Sequence, residues 1–271
     1  MATTAKAKPQ AAAAEPLLKR MDKGGVATLT LNRPSARNAL SIGLMSALQD
    51  ALDAVARDRA IKAVIVGAEG PAFCAGHDLK EIRANPGRAA YEALFAQCSR
   101  LMQSILKLPQ PVIAKVQGFA YAAGCQLVAT CDLAVAADTA TFCTPGVNIG
   151  LFCSTPMVAA SRNLPRKKMM EMLLLGDAIP AAEAQRLGLV NRVVAPAQLD
   201  AETRAMAEAI ATKSPLVVKT GKEAFYRQLE MPLAEAYAYA SRVMTDNMLA
   251  RDAEEGIDAF LAKREPKWEG R

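Results

Sequence analysis

The sequence predicts an α/β fold. Strands and helices alternate over roughly the first 150 residues, and nearly all the remainder reads as helix. Short apolar runs separated by helix-period segments imply parallel strands joined by right-handed crossovers. The helical remainder needs a core of its own or another subunit to pack on.

The first element is Val26 to Leu31, where Ala27, Leu29 and Leu31 alternate with threonines as on a half-buried strand. A turn-rich loop, 32–38, follows. Ser41 is placed to cap a helix whose inner face is Leu44, Leu48, Leu52 and Val55. Residues 63–66 are wholly apolar, which suits a strand covered on both faces. A loop spans Gly67 to Gly76. The next long helix carries Leu94, Cys98, Leu101, Met102 and Ile105, and Pro109 and Pro111 stop it. Strands are expected at 112–116, 133–136 and 141–143, with a helix from about 123 to 130. Beyond Thr155, helices are expected at 155–163, 166–175, 181–187, 198–212, 216–229, 233–250 and 253–263. The last two have the Ala-, Tyr- and Met-rich faces of a subunit contact. Three regions result: a flexible tail at 1–17, an α/β core at 18–200 and a C-terminal helical region at 201–271.

Composition excludes several chemistries. There are 271 residues and one histidine, so a Ser-His-Asp triad must use His77, and a multi-histidine metal site cannot form. No metal is expected. The six cysteines form no CxxC pair and sit among apolar residues, as reduced buried thiols do. Of the net charge of +6, residues 1–20 hold +3 and residues 261–271 hold +2, so the body is nearly neutral. A nucleic-acid partner would call for a basic stripe across that body, and none is expected. No apolar run reaches the length of a membrane span, and residues 1–16 lack both a signal core and arginine. A cytoplasmic location is expected.

Two loop-to-helix junctions carry the candidate chemistry. In AFCAGHDLKE at 72–81, Asp78 followed by Glu81 is capping-box-like and leaves the amides of 76–78 near a helix start. In GFAYAAGCQ at 118–126, small residues permit close approach of a ligand at a second helix start. Neither is a phosphate loop or a dinucleotide fingerprint, so nucleotide hydrolysis and dinucleotide binding drop out.

Together these segments resemble the crotonase (enoyl-CoA hydratase/isomerase) superfamily, a likeness running from about Val26 to Trp268. It is carried by LNRPSARNALS at 31–41, GPAFCAGHDLKEI at 70–82, PVIAKVQGFAYAAGCQLVATCDLAVAADTATF at 111–142 and RDAEEGIDAFLAKREP at 251–266. Within it, AGHDLKE, AAGCQLVA and TPGVNIGLFCSTP look like the branch named for enoyl-CoA hydratase domain-containing protein 3. The resemblance implies a crotonase-like spiral of ββα repeats with a C-terminal helical trimerisation region. A homotrimer or dimer of trimers would follow. It also implies a lyase-type enzyme of fatty acid metabolism acting on acyl-CoA, with coenzyme A as part of the substrate and no separate cofactor.

By the same resemblance, the amides of His77 and Ala123 form an oxyanion hole for the thioester oxygen and the enolate developing there. Hydratases have glycine at position 123; alanine keeps the amide and adds a methyl that disfavours branched acyl groups. Hydratases also add water with two glutamates, and here those positions are Gln126 and Gly146, so efficient hydration by that route is not expected. His77 is the one side chain with an ordinary pKa near neutrality and a candidate proton donor. It also stands where a decarboxylase branch has histidine, with Cys153 at that branch's tyrosine. Thr144 and Asn148 are further pocket candidates. For the coenzyme, Arg37, Ala75 and His77 are expected binders, with Lys263 and Lys267 on the phosphates, across a subunit boundary. Three readings follow: an acyl-CoA enzyme, including a decarboxylase of malonyl-type thioesters using His77; a non-catalytic acyl-CoA binder; and an RNA-binding relative, which the neutral body disfavours.

Overall fold

The computed structural model describes residues 15–271. Most of the expected tail, 1–17, lies outside the described residues. The chain first forms a hairpin, β1 (Leu18–Lys23) and β2 (Val26–Leu31), paired antiparallel around Gly24 and Gly25 at φ 58° and 76°. The sequence reading missed β1 because LKRMDK is an edge strand exposed along nearly its whole length and shows no apolar alternation. The Gly-Gly pair, which supplies two left-handed turn residues, was the available signal.

The remaining elements are α1 (Ile42–Arg57), β3 (Ala63–Ala68), β4 (Ala72–Cys74), α2 (Leu79–Ala84), α3 (Arg88–Lys107), β5 (Val112–Val116) and β6 (Phe119–Tyr121). Then come α4 (Ala123–Thr130), β7 (Leu133–Ala137), β8 (Thr141–Cys143), α5 (Ser154–Ala160), α6 (Arg166–Leu175), β9 (Ile179–Pro180), α7 (Ala181–Arg186) and β10 (Arg192–Val194). The helices α8 (Leu199–Ala211), α9 (Pro215–Gln228), α10 (Leu233–Met248) and α11 (Arg251–Leu261) complete the chain.

Each repeat makes a long strand, a short strand and a helix. The long strands join one sheet in the order β1-β2-β3-β5-β7-β10, and the short ones join a second in the order β4-β6-β8-β9. Within each sheet the crossover-linked neighbours are parallel, as the alternation implied; β1–β2 and β8–β9 are antiparallel. This is the spiral of ββα repeats. The segments read as loops at 67–76 and 118–124 hold β4 and β6, three-residue strands too short to show a period.

Strand β3 is buried on both faces, as its unbroken apolar run predicts. Val64 and Val66 pack toward the main core with Leu44, Leu48 and Leu101, whereas Ala63 and Ile65 pack with Leu199 and Ala207 of α8. The division after residue 200 therefore falls inside a helix that covers the large sheet, and the core runs to the end of α8. Beyond it the C-terminal helices keep large apolar side chains in solvent, from Val217 at 37% to Leu249 at 83% exposed. No helix of the described residues is long and apolar enough to cross a membrane.

Candidate active site

Three loops converge at the edge of the small sheet, and specific residues lock them. Asn38, at φ 53° and fully buried, accepts from Arg33 N (2.9 Å) and donates to the carbonyls of Glu69 and Ala72 (both 2.8 Å). Arg33 donates to the Ala39 carbonyl and pairs with Asp78 at 2.9 Å. Gln117 Nε2 donates to the carbonyls of Ala68, Gly70 and Ala72, each at 3.0 Å. Gly118 admits no side chain, since a Cβ there would stand 1.9 Å from the Pro71 carbonyl oxygen.

His77 is held by its neighbours. Leu40 N donates to Gly76 O (2.8 Å) and Asp78 N to Leu40 O (3.2 Å), so the residue between them has a fixed backbone. Asp78 caps α2 by accepting from Lys80 N and Glu81 N. Its pKa is below the usual carboxylate value: burial works to raise it, but the bonds from Arg33 and the two amides prevail. The reciprocal half of the capping box does not form. Glu81 accepts instead from Ile42 N, at 2.8 Å in the first turn of α1.

The second junction meets the first at one point. Ala122 adopts φ 49° and ψ −117°, a region that favours glycine, and its N–H donates to Cys143 O of β8 at 2.9 Å. Such backbone costs about 1–3 kcal/mol and persists only where surrounding contacts impose it. Gly76, at φ 103°, lies against it: a Cβ there would stand 2.9 Å from Ala122 Cβ and 3.5 Å from Ala123 N. Gly124 likewise lets the first turn of α4 press on β4, where a Cβ would meet Cys74 O at 2.2 Å. The amides of His77 and Ala123 are thus neighbours, and neither donates to another group among the described residues.

Around this pair the other expected residues sort clearly. The His77 imidazole has both nitrogens buried and stands edge-on to Phe95, centroids 5.7 Å apart. Burial lowers its pKa and so favours the uncharged ring, opposed by the nearby Leu40 backbone carbonyl as a hydrogen-bond acceptor and by the charge of Glu81. Gln126, 5% exposed, turns its carbonyl oxygen toward the Cys98 thiol, itself pushed by burial to about 11. Gly146 donates its N–H to Cys153 Sγ at 3.3 Å, and a Cβ there would meet that sulfur at 2.8 Å and Leu151 O at 2.7 Å. Burial raises the Cys153 pKa. Thr144 follows the β8 residue paired with Tyr121, which sets it beside Ala122; it is fully buried and its hydroxyl is unbonded.

Some expected residues are not brought in. Asn148 is exposed and lies over Gly176 at the C-terminal end of α6, where a Cβ on the glycine would stand 2.7 Å from its side chain. Arg37 is exposed and joined to the site loop through its carbonyl, which accepts from Ala75 N at 3.0 Å. Lys263 and Lys267 are exposed at the far end of the chain; Lys267 N binds Glu255, and no bond among the described residues ties either lysine to the 37–77 segment. All six cysteines are buried and unpaired. Sequence reasoning missed Phe95, an exposed-face aromatic on α3 with no marking pattern, and the strained Ala122.

The family model described as "Enoyl-CoA hydratase/isomerase" matches residues 21–271. The rat protein enoyl-CoA hydratase domain-containing protein 3, mitochondrial, is 46% identical over 97% of this chain and 88% of its own. Among solved structures, an enoyl-CoA hydratase of Mycobacterium smegmatis superposes with a TM-score of 0.92 at 55% identity, covering 94% of this chain and 99% of that one. Human enoyl-CoA hydratase domain-containing protein 3 superposes with a TM-score of 0.91 at 47% identity, over 93% and 100% of the two chains. The rat relative is named as mitochondrial, so the cytoplasmic location expected from composition has no support among these proteins.

Proposed function

From the chain's membership of the enoyl-CoA hydratase/isomerase family, we infer that it binds an acyl-CoA thioester with the carbonyl oxygen between the amides of His77 and Ala123. One observation carries this reading: the glycine before His77 lies against Ala122 and Ala123, where the Ala122 backbone costs energy to maintain, and neither the His77 nor the Ala123 amide donates to another group among the described residues. Fixed donors aimed where charge develops stabilise an enolate without reorganising, and the positive end of α4 adds to them. Losing one such donor typically costs about 10²–10³ in rate.

Proton movement is where this chain departs from a two-glutamate mechanism. A glutamine amide exchanges no proton near neutral pH, and Gln126 is engaged with Cys98. Position 146 has no side chain, and Cys153 with Leu151 fills the space one would need. Hydration by an acid–base pair of carboxylates is therefore not the activity proposed. The His77 ring is the group available to move a proton, and loss of carbon dioxide from a malonyl-type thioester would reach the same enolate without a strong base. Binding without turnover is the second reading, favoured by the closure of position 146. The exposed apolar faces of α10 and α11 are proposed as the contacts of a homotrimer or dimer of trimers, in which Lys263 and Lys267 would approach the phosphates of a neighbouring subunit's coenzyme. With positive charge confined to the chain ends, no nucleic acid partner is proposed.

A mass-spectrometric screen of saturated, enoyl and malonyl-type CoA thioesters tests this. The expected result is binding of thioesters with no hydrated product from crotonyl-CoA at hydratase-like rates. Rapid loss of the crotonyl-CoA enone absorbance would contradict it.

A further inference from the structure

A cleft of about 410 Å³ lies between the C-terminal end of α1, the turn joining α8 to α9 and the last residues of the chain. The 16 residues of α1, at about 1.5 Å each, put about 24 Å between it and Ile42, whose amide Glu81 binds beside the candidate active site. The volume falls within the range of small-molecule sites, about 300–1,000 Å³.

Polar locks shape two of its walls. Gln110, 7% exposed, donates through Nε2 to the carbonyls of Val55 (3.0 Å), Asp58 (3.4 Å) and Ile61 (3.2 Å), which ties the end of α1 to the approach to β3. The C-terminal tail is the other wall. Asp252 of α11, 1% exposed, accepts from Ser214 Oγ, from Glu269 N at 2.7 Å and from Gly270 N at 3.1 Å. Trp268 is pinned twice: Nε1 donates to the Thr212 carbonyl at 2.8 Å, and the ring packs on Gly256, where a Cβ would stand 3.2 Å from it. A site shaped in advance loses less to ordering when a ligand enters.

Four cations line the cleft: Arg59, Lys62, Lys213 and Lys219. None of them makes an ion pair or a side-chain hydrogen bond among the described residues. The two acids of the lining are engaged elsewhere. Asp58 accepts from Ala60 N and faces Arg20 at 3.7 Å, and Glu269 pairs with Arg251 and Arg271. Residues 21–260 are nearly neutral in total, so four unpaired cations around one cleft are a local excess. Like charges gathered in a cleft repel one another and focus a positive potential, which a bound anion relieves. The same cleft presents the Trp268 indole with Pro109, Pro215 and Val218. A bare inorganic anion would leave that apolar surface uncovered, whereas an anionic group on a flat organic body covers both. A phosphate carries close to two charges and a carboxylate one, so four cations suit phosphate better.

We propose that this cleft is a second ligand site, for a small organic phosphate whose oxygens meet Arg59, Lys62, Lys213 and Lys219 and whose ring lies on Trp268. It stands apart from the thioester site and does not depend on the acyl-CoA reading.

Trp268 is the one tryptophan in the chain, so its fluorescence reports on the cleft. The probe is ADP, titrated into the full chain with and without saturating butyryl-CoA, beside adenosine and inorganic pyrophosphate. Saturable quenching by ADP is expected, unchanged by butyryl-CoA, with adenosine and pyrophosphate each binding about tenfold or more weakly. Substituting Lys62→Gln together with Lys213→Gln should lower ADP affinity about tenfold or more at an unchanged melting temperature. Added salt should weaken ADP binding to the wild type. Absence of ADP binding, equal affinity for ADP and pyrophosphate, or ADP affinity unchanged in the double variant would each overturn the assignment. So would displacement of ADP by butyryl-CoA, which would place it in the coenzyme's own subsite. If butyryl-CoA does not bind, the acyl-CoA reading falls, and the double variant still decides this one.

Discussion

At the C-terminal end of α4, Asp132 accepts from Val112 N at 2.7 Å, from Lys222 at 2.6 Å and from Tyr226 at 2.8 Å. Lys222 also donates to the carbonyls of Ile105 and Gln110, and the Asn163 amide reaches the Ala129 carbonyl. At the N-terminal end of the same helix, two amides and the Thr144 hydroxyl have no partner among the described residues, and the residue before the helix holds a backbone conformation that costs energy. Both ends are buried and polar. One spends its polar groups on the fold and the other withholds them, and that difference is what separates a structural cluster from a binding site in this molecule.

The comparison breaks most visibly at the satisfied end. Burial lowers the Lys222 pKa while Asp132 pulls it back, and burial with Asp132 pushes the Tyr226 pKa upward, so the three groups depend on one another. Lys222→Met leaves Asp132 buried without its charge partner and should cost roughly 3–5 kcal/mol in denaturant unfolding. A loss under about 1 kcal/mol would mean that this cluster contributes no more than an exposed ion pair. The contrast with Thr144→Val at the other end, expected to stabilise, sharpens the point: deleting a polar group destabilises where it is bonded and stabilises where it is not.

The smallest effect comes from pH. The folded pKa of His77 lies below its ordinary value of 6.5. Above that value both folded and unfolded states hold the ring neutral, and stability is complete. As pH falls through it, the unfolded chain takes up the proton first, so stability declines until the folded pKa is passed. Melting curves between pH 7.5 and about 5 should therefore fall more for the wild type than for His77→Phe. Parallel curves would mean that the ring is not desolvated as described.

Much of this was legible in the sequence where a pattern repeats. The alternation from Val26, the apolar run at 63–66 and the helix face of α1 each recur often enough to be read, and the two small-residue junctions marked the positions that Gly76, Ala122 and Gly124 bring together. What was not legible depends on single long-range contacts. The strands β4 and β6 have no period of their own and exist through each other. Glu81 reads as a cap for its own helix, yet it serves α1, whose first amide lies closer in space than in sequence. That Cys153 occupies the space of a side chain at 146 follows from a seven-residue loop closing on itself, which no local signal announces. The basic tail illustrates the converse: Lys263 and Lys267 match a chemical role by charge alone, and one chain does not place them near Arg37.

The most direct test of the paired amides is isotope-edited infrared difference spectroscopy of a thioester labelled with ¹³C at the carbonyl. Two fixed N–H donors polarise that bond, so its stretching band should move to lower frequency on binding than in water. A bound carbonyl absorbing at or above its frequency in water would contradict the claim that His77 and Ala123 form an oxyanion hole.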